Sequence, residues 1–425
     1  MTVLVLGAGI AGVGAGLALT EADRDAVLLE LEDGPGGLMR TDEVDGFSFD
    51  RTGHFLHFKR DLLNGRLEGA DVSLDCIERR SAVLVGDTVV PYPIQYNLWA
   101  LGPERARTAL AELEDESGLA DLPDTLAELL LSSWGQTLYD VFFRPYNEKL
   151  WGRPLTVLPA DCVGAYLPTT DVELAAAGAR GPTSYGGYNG TFFYPSSGRI
   201  GEAAEALSAS FADRIRYGCA VRSIDLDERV LETEDGETIA YDSLISTLPL
   251  NDLLALSGEG AAPDLFGASE ILNVRIGFRG AVRIPHHWVY VPDAEFPFHR
   301  IGFPGNVNEL TCPPGCASLS VEYTYPSTGE RLSGEAVAAG ALEYLDDLGF
   351  LDLDETVTVT ERLISPAYVV QRSPGREELE LIHDSLAQRG VHVAGRYGTW
   401  DYLSMEEAFE SGWRAGVAIR EMARV

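Results

Sequence analysis

Positive charge is scarce in this 425-residue chain, and lysine is nearly absent: Lys59 and Lys149 are the only two, against a net charge of −34. Non-specific nucleic-acid binding runs on basic patches that displace counterions, so no nucleic-acid partner is expected. Cysteine is thin as well. Cys76, Cys162, Cys219, Cys312 and Cys316 form an odd, scattered set with no disulfide framework, which fits a reducing compartment. Cys312 and Cys316 bracket Pro-Pro-Gly with no second pair or histidine cluster nearby, so they read as a turn and no metal is expected. No run of about 18 apolar residues occurs, and no membrane partner is expected. The apolar start Thr2-Val3-Leu4-Val5-Leu6-Gly7 reads as a strand and not as a signal peptide, which sets the expectation of a cytoplasmic protein.

What is present is ordinary globular material: 45% hydrophobic residues, in a length that supports two or three cores. Residues 2–35 read strand, glycine turn, helix, strand. From about 100 to 150 apolar residues recur at three and four, as at Ala106, Leu110 and Leu113, which predicts helices. Residues 201–211 also read as helix. Residues 219–247 alternate as strands about a turn near Glu234-Asp235-Gly236. The stretch 270–325 is β-rich, 391–395 is a last short strand, and a final helix starts near 405. Ser404-Met405-Glu406-Glu407 is a capping box, and Phe409, Trp413 and Val417 predict one buried stripe behind it. No linker divides the chain, so its domains are expected to be interleaved.

Gly7-Ala8-Gly9-Ile10-Ala11-Gly12 follows the first strand and opens the first helix. The first glycine permits the tight turn, the second lets backbone approach a pyrophosphate, and the third allows close helix–strand packing. The helix N-terminus offers free N–H groups to that anion. Glu30 ends the second strand, where an acidic residue can hold a ribose hydroxyl pair. This constellation predicts a dinucleotide site.

Six residues beyond Glu30, Gly36-Gly37-Leu38-Met39-Arg40-Thr41 resembles the FAD-binding proteins of the amine-oxidase and protoporphyrinogen-oxidase superfamily, as do Tyr194-Pro195-Ser196-Ser197-Gly198 and Asp242–Pro249. Three further stretches resemble the UDP-galactopyranose mutases of that superfamily. They are Phe49–Phe58 with Gly53-His54, Arg144–Gly152 with Tyr146 and Trp151, and Gly395-Arg396-Tyr397-Gly398-Thr399-Trp400-Asp401-Tyr402-Leu403-Ser404-Met405. The resemblance implies FAD, active in its reduced form, with an external reductant such as NAD(P)H. Its cofactor-binding positions would be Gly7, Gly9, Ala11, Gly12, Glu30, Gly37, Arg40, Gly53, His54, Val221, Gly395, Arg396, Tyr402, Leu403, Ser404 and Met405. It implies Arg396, His54 and Trp151 as catalytic residues, and Tyr146, Asn147, Trp151, Tyr402, Arg275 and Tyr323 as substrate-binding ones.

The implied activity is a pyranose–furanose isomerisation of a nucleotide-diphosphate sugar, a UDP- or GDP-hexose such as galactose, through a covalent flavin–sugar iminium without net redox change. A homo-oligomer, a dimer, is also implied. The mutases carry a diphosphate arginine about 14 residues after the tryptophan. Residues 161–168 hold none, which leaves Arg180 or Arg275 to substitute. The alternative is an oxidase or desaturase of the protoporphyrinogen-oxidase or amine-oxidase type. The expected architecture is α/β. A Rossmann-like FAD-binding domain would comprise 1–80, 200–260 and 375–425, and a helical substrate-side insert 100–170. An antiparallel β-sheet domain would comprise 81–99, 171–199 and 261–374.

Overall fold

The structure is a computed structural model that describes residues 2–53, 55–115, 123–166, 170–183, 190–260, 265–328, 331–370 and 375–422. Its first layer is a five-stranded parallel sheet in the order Val391–Val393, Ser243–Ser246, Val3–Leu6, Ala26–Leu29, Ile215–Arg216. Val-Leu-Val-Leu and Ser-Leu-Ile-Ser are buried along their whole length, as strands covered on both faces must be. Three distant stretches of chain thus build one sheet. The helices Ile10–Glu21 and Met405–Met422 pack together over it. Val221–Asp225, Val230–Thr233 and Thr238–Ala240 form a small antiparallel sheet beside it.

The final helix begins as its sequence requires. The Ser404 N–H donates to Glu407 Oε2 (2.8 Å) and the Glu407 N–H donates to Ser404 Oγ (3.2 Å). Its buried stripe is not the expected one. Phe409 is fully buried and stacks on Trp413, but Val417 is half-exposed. The face pressed on Ile10–Glu21 is Phe409, Gly412, Gly416 and Ile419, because a Cβ at Gly412 would stand 1.7 Å from the Ala11 carbonyl oxygen.

The second layer is a seven-stranded sheet in the order Thr356–Ile364, Ile271–Arg279, Cys316–Thr324, Arg300–Gly302, Trp288–Tyr290, Ser81–Val85, Thr88–Pro91. Every neighbouring pair is antiparallel except Trp288–Tyr290 with Ser81–Val85. Strand alternation divides its chemistry. Leu272, Val274, Ile276, Leu319, Val321 and Tyr323 join one apolar core with Val337, Ala341 and Leu345 of the helix Gly334–Asp347. The opposite face carries Asn273, Arg275, Arg300, Ser320 and Glu322 in paired register.

A helical layer of Pro103–Glu114, Leu126–Leu138 and Arg144–Trp151 surrounds Leu113, Leu130, Trp134, Phe143 and Trp151. The segment 171–199, expected within the sheet domain, divides between other places. Val172–Arg180 packs on Pro103–Glu114, held by Gly178 against the Tyr96 backbone and by an Asp171 N–H bond to the Tyr96 hydroxyl (2.9 Å). Thr191–Pro195 pairs with Leu74–Glu78 in a separate two-stranded ribbon.

Candidate active site

The first turn of the chain creates a cleft. Gly7 takes φ +91°, a conformation glycine adopts without strain, and a Cβ at Gly12 would lie 2.0 Å from the Gly7 carbonyl oxygen. The cleft has a volume of about 560 Å³. It runs from Cys219, Ala220 and Val221, past Gly7, Gly9, Ala11, Glu30 and Gly37, to Gly395, Arg396, Leu403, Ser404 and Met405. The carboxylate of Glu30 is already oriented: Oε2 accepts from the Ala8 N–H (2.6 Å) and Oε1 from the Glu32 N–H (2.9 Å).

Glu32, Arg51 and Arg362 stand together on the cleft wall. Glu32 contacts Arg51 at 2.5 Å, Arg362 at 2.7 Å and Arg40 at 2.8 Å. Burial pushes the Glu32 carboxyl up, but Arg51 and Arg362 outweigh it and hold the group below its usual range. Arg51 also reaches Asp42 (3.3 Å), which Arg275 meets from the other sheet (2.7 Å). This chain of ion pairs ties the two sheets across the cleft.

Arg396 leads from the cleft into an aromatic box. Its Nε and Nη2 donate to the Leu403 carbonyl (2.8 and 2.5 Å), and its guanidinium lies 4.8 Å from the Tyr402 ring centroid. Tyr402 stacks on Tyr368 (5.7 Å), and Trp151 contacts both, Tyr368 at 5.7 Å and Tyr402 at 6.2 Å. Tyr146 stacks on Phe142 (5.2 Å) and meets Tyr290 edge-on (5.1 Å). Arg300 enters from the polar face of the large sheet, paired with Glu322, whose second oxygen lies 3.3 Å from His299. Burial pushes the Tyr402 hydroxyl up, while Arg396 and Arg300 both pull it down, so two guanidinium groups act on this one tyrosine. Burial raises the Tyr146 hydroxyl well above its ordinary value.

A sequence profile of the flavin-containing amine oxidoreductases matches residues 10–420. The chain belongs to this family. Its fold resembles that of reduced UDP-galactopyranose mutase at 25% identity and a TM-score of 0.91, over 100% of this chain and 94% of the other. A protein from Exiguobacterium sp., provisionally titled a protoporphyrinogen oxidase, matches at 16% identity and a TM-score of 0.77, over 99% of each chain. Putrescine oxidase bound to putrescine matches at 14% and 0.66, again over 99% of each.

A flavin-containing amine oxidoreductase needs room for FAD, and the residues present fit that dinucleotide. The cleft runs from the glycine turn and Glu30 to the Gly395–Met405 segment, and a Cβ would stand 2.5 Å from Thr247 Oγ1 at Gly7 and 2.0 Å from the Gly7 carbonyl oxygen at Gly12. Of the expected cofactor positions, Gly7, Gly9, Ala11, Glu30, Gly37, Val221, Gly395, Arg396, Leu403, Ser404 and Met405 line it. Four do not. Gly12 lies behind the turn, and Arg40 is bound to Glu32 and Asp33. Gly53 lines a separate cavity of about 50 Å³ beside Arg300. Tyr402 stands beyond Arg396, in the box. His54 lies outside the described residues.

The expected substrate residues also separate. Tyr146, Trp151 and Tyr402 share the box, although Trp151 is only 2% exposed and acts as its wall. Asn147 donates back to the Phe143 carbonyl of its own helix (2.7 Å). Tyr323 falls on the apolar face of its strand, because its neighbour Glu322 takes the polar one. Arg275 shares the polar face but is bound to Asp42 and to Thr360 Oγ1 (3.1 Å), and Arg180 is exposed at a helix end. A second cation, Arg300, whose charge bears on Tyr146, Tyr368 and Tyr402, was missed in the sequence along with Tyr290 and Tyr368. The signal was there in Phe298-His299-Arg300-Ile301, an arginine inside an otherwise apolar β-rich run.

Proposed function

We propose that this protein is a flavin-dependent pyranose–furanose mutase acting on a nucleotide-diphosphate sugar. The observation that carries the reading is an aromatic box in which the Arg396 guanidinium lies 4.8 Å from the Tyr402 ring centroid and the charge of Arg300 also bears on Tyr402, in a chain of net charge −34. Two guanidinium groups kept against that background suit a dianionic pyrophosphate, which each can grip through paired N–H groups. Tyr402, its hydroxyl held protonated by burial, adds a donor at neutral pH. The faces of Tyr146, Tyr290 and Tyr368 suit a nucleobase and a sugar ring, and they exclude water.

Reduced flavin, when bound, supplies a nucleophile for the anomeric carbon. The chain's own residues must then stabilise the departing diphosphate and keep it close for return. Arg300 and Arg396 neutralise its charge as it leaves, and the enclosing tyrosines hold it in place. Glu322 fixes the Arg300 guanidinium, since burial raises its carboxyl and Arg300 and His299 more than reverse that. Either UDP or GDP sugars would satisfy this chemistry.

A second reading, an oxidase of the amine or porphyrinogen type, is favoured by the family and by the relatives provisionally or plainly named as oxidases. It calls for a mostly apolar pocket. The two are separated by incubating dithionite-reduced protein anaerobically with UDP- and GDP-hexoses and following furanose formation by NMR. Furanose from either nucleotide supports the mutase. Its absence from both, with oxygen uptake on a polyamine or porphyrinogen, would establish the oxidase.

A further inference from the structure

We infer that Lys149 is a positioning residue, an ammonium clamp that holds the helix bearing Tyr146 and Trp151 against the hairpin bearing Tyr290 and Arg300. The inference rests on the mutase reading of the box. Lys149 lies on Arg144–Trp151, and its Nζ donates to three backbone carbonyls, those of Val291 (3.0 Å), Phe298 (3.2 Å) and Asp293. All three belong to the loop that joins Trp288–Tyr290 to Arg300–Gly302. The loop starts one residue after Tyr290, and Phe298 stands two residues before Arg300. One ammonium therefore spans the two halves of the box, and its three donors are matched by three acceptors.

The choice of residue supports this. The chain has arginine almost everywhere a cation is needed, and lysine only twice. Lys59 is exposed, whereas Lys149 is largely enclosed. A planar guanidinium fork cannot aim at three carbonyls converging on a point; a tetrahedral ammonium can. Burial drags the amine down to about 7, with Asp293 the charge that opposes it, and the three carbonyl dipoles favour the ammonium further. The helix end is held independently: Thr324 Oγ1 donates to the Leu150 carbonyl (3.1 Å) and the Ser327 N–H to the Gly152 carbonyl (2.8 Å). Loss of Lys149 should thus loosen the box without releasing the helix.

The test uses the FAD-loaded protein and whichever of UDP or GDP the wild type binds. Lys149→Met keeps the volume of the side chain. It should retain FAD, bind the nucleotide at least tenfold more weakly and turn over roughly 10²-fold more slowly, the scale of a misplacement of about 1 Å. Lys149→Arg should do no better. In Lys149→Ala, n-propylammonium should restore affinity, and n-propanol, which fills the same space without the charge, should not. Wild-type affinity and turnover in Lys149→Met would overturn the clamp, as would equal rescue by the alcohol. If Lys149→Met loses FAD or fails to fold, the ammonium-against-alcohol comparison in Lys149→Ala decides. A wild type that binds neither nucleotide overturns the mutase reading and the clamp together, a pattern distinct from failure of the clamp alone.

Discussion

Arg300 and Glu322 are each costly to leave alone. Glu322 is 4% exposed, so removing its cation strands a carboxylate away from water. Arg300→Met should cost about 3–5 kcal/mol in chemical denaturation of the FAD-loaded protein. Adding Glu322→Gln to the same chain should recover most of it, because the stranded charge then disappears. Asp50 shows the opposite electrostatics. It accepts from Thr41 Oγ1 (2.7 Å), the Tyr194 hydroxyl (2.7 Å) and the Ile200 N–H (3.3 Å), and burial pushes its carboxyl from 3.8 up to about 6. A raised acid stabilises the fold while protonated, fully below pH 3.8, and loses that contribution as pH rises through about 6. We expect wild type to lose roughly 2 kcal/mol relative to Asp50→Asn between pH 4 and 7. Melting temperatures of the two proteins across that range check it; curves that stay parallel refute the shift. Residues of this kind mark the limit of sequence reading. Gly7 and Glu30, which line the cleft, belong to a strand–turn–helix–strand pattern readable over a short stretch, and Arg396, which also lines it, was expected from a family resemblance. Arg300 and Glu322 were not, because their meeting depends on strand register.

Among the elements, the paired helices Ile10–Glu21 and Met405–Met422 carry the cleft, since both present N-terminal residues to it. Their separation is set by glycine. Gly412→Ala would drive a Cβ to 1.7 Å from the Ala11 carbonyl, so the helices must part. Overpacking of this severity should cost about 3 kcal/mol or more and reduce FAD loading, read from the flavin-to-protein absorbance ratio of the purified variant. Gly340, inside the exposed side of Gly334–Asp347, meets nothing within 4 Å. There the same substitution should stabilise by about 0.5–1 kcal/mol, because alanine favours the helix and no neighbour objects. If both substitutions behave alike, contact between the helices is not what fixes the cleft. The capping box was readable in advance, since Ser404 and Glu407 are three residues apart. The glycine seam was not: a hydrophobic stripe is defined by what side chains bury, and here the contact is made where side chains are missing.

For the molecule as a whole, stretches far apart in the chain meet in one sheet. Strands Val3–Leu6, Ser243–Ser246 and Val391–Val393 each read as an apolar run, yet only their pairing shows that they are adjacent. The segment 171–199 was misplaced for the same reason, since a strand's pattern does not name its partner. Charge is the one global property that can be taken directly from composition. A net −34 repels itself in the folded state, and the ion pairs at Glu32, Asp42 and Glu322 use arginines already present without cancelling the excess. Those pairs are mostly enclosed and weakly screened, whereas the unbalanced carboxylates lie at the surface. Screening length falls from about 30 Å at 0.01 M salt to about 10 Å at 0.1 M. The melting temperature should therefore climb as sodium chloride is raised over that range, steeply at first and then flattening as the screening length drops below the spacing of surface carboxylates. A fall instead would mean that attraction between exposed opposite charges outweighs repulsion, and that the acidic surface is balanced locally despite its total.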